Sequence, residues 1–171
     1  FLIKSMKLYA AYGSNLNIIQ MKKRCPKSFP ICTIYLENWS LAFKGVADLE
    51  KKKGSICMLG IYEISQQCER YLDIYEEYPT VYQKRKIKKR VEGKEREIMF
   101  YTMNNKYKYA APTQKYFKVI EEGFRNWNGY SDLLYSACFE SINKATELGY
   151  KSENWKDKKY VNKKFLNNRF L

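Results

Sequence analysis

The sequence predicts an α+β protein built as one domain with a distinct tail. Three observations carry this. A strand-like stretch, Lys7 to Tyr12, breaks at Gly13-Ser14-Asn15 and runs into an amphipathic helix. Strand-like runs then dominate to Met103, with a single helix after Ser65. Beyond Pro112 apolar residues recur at helical spacing. The 171 residues are 45% hydrophobic and 16% aromatic, enough to bury a sizeable core. Residues 6–149 read as the domain and 150–171 as a basic, aromatic tail. Phe1 to Ser5 read as leader residues ahead of a start at Met6.

Lys7 to Tyr12 contains no turn former. Gly13 tolerates positive φ, and Ser14 and Asn15 are good N-caps for the helix from Leu16 to Arg24. Such a turn aims backbone N–H groups at an anion, although many α/β turns of this kind bind nothing. Ile31–Leu36 and Trp39–Phe43 read as strands separated by a turn at Glu37-Asn38. Asp48 to Gly54 reads as a charged loop. Ser55 to Ile64 reads as a buried strand, with Gly60 marking a close backbone approach. Ser65 caps a helix that Pro79 and the residues before it terminate.

Val81 to Val91 reads as a long strand with Val81, Ile87 and Val91 on one face. The other carries Tyr82, Lys84, Lys86, Lys88 and Arg90, a pattern that suits phosphate binding or, preferred here, a solvated edge. Glu92-Gly93-Lys94 turns the chain into Glu97–Met103. Pro112-Thr113 opens a helix through Trp127, and Ser131-Asp132 caps another that Leu148-Gly149 stops.

Composition removes several kinds of chemistry. There is no histidine, and none of the five cysteines (25, 32, 57, 68 and 138) forms a C-x-x-C pair. Zinc sites, haem ligation and Ser-His or Cys-His catalysis lose their usual ligands and bases. No metal or cofactor is expected. The thiols read as reduced, with Cys25 a small buried hydrophobe, and the chain as cytoplasmic. No apolar run is long enough to span a membrane. The net charge of +14 raises nucleic-acid binding, but the lysines are spread along the chain. The tail, net +5 with Trp155, Tyr160, Phe165 and Phe170 interleaved, reads as a strap with aromatics turned inward in preference to a nucleic-acid arm. Oligomeric state is left open.

Four pieces in order resemble the gamma-glutamylcyclotransferase family: Tyr9-Ala10-Ala11-Tyr12-Gly13-Ser14-Asn15-Leu16; Met21-Lys22-Lys23-Arg24-Cys25-Pro26; Leu72-Asp73-Ile74-Tyr75-Glu76-Glu77-Tyr78-Pro79 with Tyr82; and Pro112-Thr113-Gln114-Lys115-Tyr116. The resemblance implies a small mixed β-barrel with flanking helices. It implies an enzyme that cyclises a γ-glutamyl amide to 5-oxoproline and frees the amine. Tyr9, Ala10, Ala11, Tyr12, Gly13, Ser14 and Asn15 would hold the γ-glutamyl part, Glu76 would be the proton acceptor, and Tyr116 would help form the pocket. The family usually has Gly after the catalytic glutamate, where this chain has Glu77.

That chemistry suits the composition. The substrate's own α-amine is the nucleophile, so the protein need only orient it and move a proton. Tyr71, Tyr75, Tyr78 and Tyr82 would give Glu76 a low-dielectric wall, and the segments Asp48–Gly54 and Asn104–Ala111 would shape specificity. Asp73 would support the turn. The alternative is a family-like binding module without turnover, contacting an acidic partner through its basic tail.

Overall fold

The computed structural model describes residues 6–170, so the expected leader at 1–5 lies outside it. The chain forms β1 (Lys7–Ala11), a single 3-10 turn (Ser14–Leu16), α1 (Ile18–Arg24), β2 (Phe29–Phe43), β3 (Ala47–Ile64), α2 (Gln66–Tyr75), β4 (Tyr82–Val91), β5 (Lys94–Met103), α3 (Gln114–Asn126) and α4 (Ser131–Lys144). The C-terminal segment adds a 3-10 turn (Glu153–Trp155) and a short helix, α5 (Lys163–Asn167).

Five strands form one mixed sheet in the order β2-β3-β1-β5-β4. β1 lies at its centre, antiparallel to β3 and parallel to β5. The sheet is open, which corrects the expected barrel: β2 pairs only with β3 and β4 only with β5. The β4 edge carries closely spaced Lys and Arg side chains that discourage addition of another strand.

The β2–β3 hairpin overturns two local expectations. Asp48 to Gly54 lies within β3, where Asp48, Leu49, Glu50 and Lys51 pair with Ala42, Leu41, Ser40 and Trp39. Asp48 is buried while the residues from Glu50 to Gly54 are partly or fully exposed, and composition alone made the stretch resemble a loop. Glu37-Asn38 is not a turn. Asn38 adopts φ 63° at a register shift between Glu37 and Trp39, where it faces residues 52–55 of β3, so the strand runs on through an irregularity whose excess residues lie in β3. The β4–β5 connection is a tight hairpin, with Glu92 and Gly93 both at positive φ (51° and 81°).

Caps follow the sequence in part. Ser65 and Thr113 accept from the N–H groups of Cys68 and Tyr116 and start α2 and α3 as expected. At α1 the cap is Asn17, which accepts from Gln20, not Ser14 or Asn15. α4 starts without a side-chain cap and ends at Lys144, before Leu148-Gly149. Gly149 instead packs against Lys44, where a Cβ would stand 2.6 Å from the carbonyl oxygen. Gly60 meets Trp127 and Leu16 so closely that a Cβ would lie 2.7 Å and 2.9 Å from their side chains, the close approach its sequence context predicts.

The fold also corrects the reduced-thiol expectation. Cys25, which caps the C-terminus of α1, is joined by a disulfide to Cys68 in α2, with Cα atoms 5.2 Å apart. The pair is 43 residues apart in sequence and has no spacing signature. Cys57 and Cys138 are free and buried, and Cys32 is free and partly buried.

Candidate active site

The 13–15 turn and the end of α2 face each other across a cleft between β1 and the C-terminal segment. Tyr9, Tyr12, Gly13, Ser14 and Asn15 line one side, and Tyr75, Glu76 and Glu77 another. Val46, Ala47, Tyr82, Tyr101 and Tyr116 form the floor, and Tyr150, Ser152 and Trp155 close it. Among the described residues no Lys or Arg lines the cleft.

The turn is held by its own backbone. Leu16 N–H donates to the Gly13 carbonyl and Asn17 N–H to that of Ser14. Ser14 and Asn15, first in a single turn, have no intrahelical acceptor for their own N–H groups. Asn17 caps α1 itself, so the candidate anion cradle is this turn and not the α1 terminus. Gly13 is needed for a reason other than the expected positive φ, for its φ is −117°. A Cβ there would come within 3.0 Å of the Ala47 Cβ and 3.3 Å of the Tyr116 hydroxyl.

Asn15 links the two halves. Arg24 donates to its Oδ1 at 2.8 Å, and because guanidinium only donates, this fixes the amide orientation. The Asn15 Nδ2 then donates to Tyr9 (3.0 Å) and, more weakly, to Glu76 Oε1 (3.4 Å). The Tyr62 hydroxyl donates to the Asn15 carbonyl at 2.8 Å. Arg24 also lies 3.7 Å above the Tyr75 ring.

Glu76 is the C-cap of α2, where unpaired carbonyls disfavour a second negative charge. Burial among tyrosines pushes its carboxyl up from 4.5 to about 8, against the opposing pull of Arg24. Burial and the Glu76 carboxylate likewise raise Tyr9 well above the usual phenol range, so it stays protonated. Asp73 anchors this corner: it accepts from the Tyr101 hydroxyl at 2.6 Å and from Lys84 at 2.8 Å, and its carbonyl accepts from Tyr78 N–H. Lys84 is thereby absorbed into ion pairs with Asp73 and Glu69, and Tyr82 is buried, so the basic face expected of β4 is not uniform.

The floor is fixed by Ala47. Its N–H donates to the Tyr116 hydroxyl at 3.0 Å, and its carbonyl accepts from Tyr82 at 2.5 Å. The next residue, Asp48, accepts from the Met103 and Leu49 N–H groups and pairs with Lys44 at 2.6 Å, tying β3 to β5.

Of the residues singled out in the sequence, Tyr9, Tyr12, Gly13, Ser14, Asn15, Glu76 and Tyr116 meet at the cleft. Ala10 and Ala11 are buried within β1 and their side chains do not line it. Of the four tyrosines expected around Glu76, Tyr75 and Tyr82 line the cleft, while Tyr71 and Tyr78 are 45% and 41% exposed. Neither Asp48–Gly54 nor Asn104–Ala111 lines it. Arg24, Tyr101 and Trp155 emerge only from the fold. Trp155, buried within a lysine-rich stretch, was the legible hint of an inward anchor.

Glu77 adopts φ 50°. The turn therefore keeps the left-handed backbone that glycine favours, with a side chain in place. Its carboxylate accepts from the Tyr150 hydroxyl.

The model of the family described as "Gamma-glutamyl cyclotransferase, AIG2-like" matches residues 9–126. The chain belongs to that family. Among solved structures it is similar to one titled gamma-glutamyl cyclotransferase (TM-score 0.70, 23% identity, 88% of this chain and 95% of that one). It is similar to an uncharacterised protein from Homo sapiens (TM-score 0.68, 23% identity, 87% and 95%). YkqA from Bacillus subtilis also matches (TM-score 0.66, 20% identity, 78% of this chain and 53% of that one). No curated protein sequence matches. Among the described residues no helix is long and apolar enough to cross a membrane.

Proposed function

We propose that this chain is a γ-glutamyl cyclotransferase with Glu76 as its general acid and base. It acts on a γ-glutamyl amino acid or γ-glutamyl amine. The observation that carries the reading is a carboxyl raised to about 8, set in a tyrosine-lined cleft opposite the 13–15 turn. Membership in the family supports the reaction class.

In this reaction the substrate's α-carboxylate rests on the N–H groups of the 13–15 turn, which curls the γ-glutamyl chain. Glu76 takes a proton from the α-ammonium. The freed amine attacks the γ-carbonyl, forming the ring C–N bond. Glu76 returns the proton to the departing nitrogen as the amide C–N bond breaks, and the second proton of the ring nitrogen passes to the freed amine, leaving a neutral lactam. The products are 5-oxoproline and the free amine. Holding two reacting groups of one molecule together is the larger part of the catalysis, and one carboxyl poised near neutrality suffices for the proton.

The test is incubation with γ-glutamyl-alanine and a panel of γ-glutamyl amines, measuring 5-oxoproline. Release from at least one substrate, with kcat/KM falling as pH drops below about 8, is expected. Absence of product from every member would leave a binding module in place of an enzyme.

A further inference from the structure

The C-terminal segment reaches the cradle through a hydrogen-bond chain whose first step the donor chemistry fixes. Trp155 Nε1 donates to the Tyr75 hydroxyl at 2.7 Å, and that hydroxyl lies 2.8 Å from Ser14 Oγ. An indole N–H can only donate, so the Tyr75 oxygen is an acceptor towards Trp155 and retains its own proton for a second partner. Ser14 Oγ is the hydroxyl within reach. A phenol is a stronger acid than an alkyl hydroxyl, and the Arg24 guanidinium above the ring strengthens it further as a donor. A Tyr75 that donates to Ser14 leaves the Ser14 proton free to point into the cleft that both residues line. With the chain reversed, the Ser14 proton would face Tyr75 and a lone pair would meet the substrate anion.

The anchor for this chain lies outside the region that the family model matches, residues 9–126. It is nonetheless held firmly. Trp155 is 6% exposed, its ring packs 5.2 Å from that of Tyr116, and its carbonyl accepts from the Thr113 hydroxyl at 2.8 Å. On either side, Tyr150 N–H donates to the Lys44 carbonyl and Val161 N–H to that of Pro112.

We propose that Trp155 is a positioning residue: through Tyr75 it sets the Ser14 hydroxyl as a donor to the α-carboxylate of the γ-glutamyl group. This rests on the cyclotransferase reading for the identity of the anion. The cradle then has one oriented side-chain donor beside the N–H groups of the turn, and a segment distant in sequence controls it.

The experiment uses Trp155→Phe, which keeps an aromatic ring in the wall and removes the N–H with the five-membered ring, together with Tyr75→Phe and the double variant. Turnover of γ-glutamyl-alanine is read in the active protein. Binding of the same dipeptide is read by calorimetry in a Glu76→Gln background, where it persists. Trp155→Phe is expected to raise KM and Kd about three- to tenfold, the scale of one hydrogen bond to a charged group, with kcat nearly unchanged. The double variant is expected to be no worse than Tyr75→Phe alone. An analogue that lacks the glutamyl α-carboxylate, with hydrogen in its place, is expected to bind Trp155→Phe and its parent equally.

Unchanged affinity in Trp155→Phe, additive effects of the two substitutions, or the same loss with the analogue lacking the α-carboxylate would each overturn the proposal. Binding without turnover in the wild-type chain would remove the cyclotransferase reading and leave the relay to be judged on affinity alone. Absence of both would remove both.

Discussion

Glu76→Gln should separate catalysis from stability. Burial moves this carboxyl from 4.5 to about 8. Between those values the folded chain keeps a proton that the unfolded chain has released, so the folded state binds more protons. Stability therefore falls as pH rises through that window, and the loss is complete above about 8. At about 1.36 kcal/mol per pH unit the whole window corresponds to roughly 5 kcal/mol. Water reaches the open mouth of the cleft, so about 2 kcal/mol is the expected effect. Glutamine keeps the shape without the charge. The variant should melt with the wild type at pH 5 and about 6 °C above it at pH 9, using the usual 2–4 °C per kcal/mol for a chain this long. Its turnover should fall about 10²- to 10⁴-fold. Scanning calorimetry at pH 5, 7 and 9, with 5-oxoproline release at each, reads both effects. A melting difference that does not change with pH, or retained turnover, would refute a buried carboxyl that carries the proton.

Three further outcomes are expected. Glu77→Gly relieves the left-handed backbone and should stabilise the chain by about 1 kcal/mol while turnover survives, which a melt and a rate measurement check together. Gly60→Ala forces a methyl into Trp127 and Leu16 and should cost about 1–3 kcal/mol in urea unfolding. Reducing the Cys25–Cys68 disulfide opens a 43-residue span and should cost about 4 kcal/mol by chain entropy, seen as a lower urea midpoint in reductant that Cys68→Ser reproduces.

Local features were the most legible in the sequence. The capping residues Ser65 and Thr113, the Glu92-Gly93 hairpin and the crowded Gly60 each announce themselves within a few residues, because the forces that set them are local. Glu76 was legible only through a motif; nothing in its immediate neighbours marks it out from an ordinary helix-end carboxylate. What escaped depends on distant chain. The charged end of β3 became a strand because β2 pairs with it. Asn38 took a left-handed backbone inside a strand because β3 carries extra residues (52–55) opposite it. The open sheet is a statement about edges, which no single segment encodes. Cys25 and Cys68 meet because α1 and α2 pack together. The cleft wall came from residues 150–155, and not from the two segments that looked like specificity loops, because the chain beyond α4 returns across Lys44.

The hydrogen bonding around Tyr75 and Tyr101 has a consequence for when the protein becomes competent. Its hydrogen bonds join partners 61, 80 and 89 positions apart along the chain: Ser14 to Tyr75, Trp155 to Tyr75, and Tyr12 to the Tyr101 carbonyl. Each requires a long loop to close before it returns any stabilisation. Nascent or partly unfolded chains can hold a hairpin or a capped helix, yet none of these fragments contains a cradle facing a carboxyl. Competence thus arrives with global folding and disappears with it, so activity should follow the population of the fully folded chain and not its residual secondary structure.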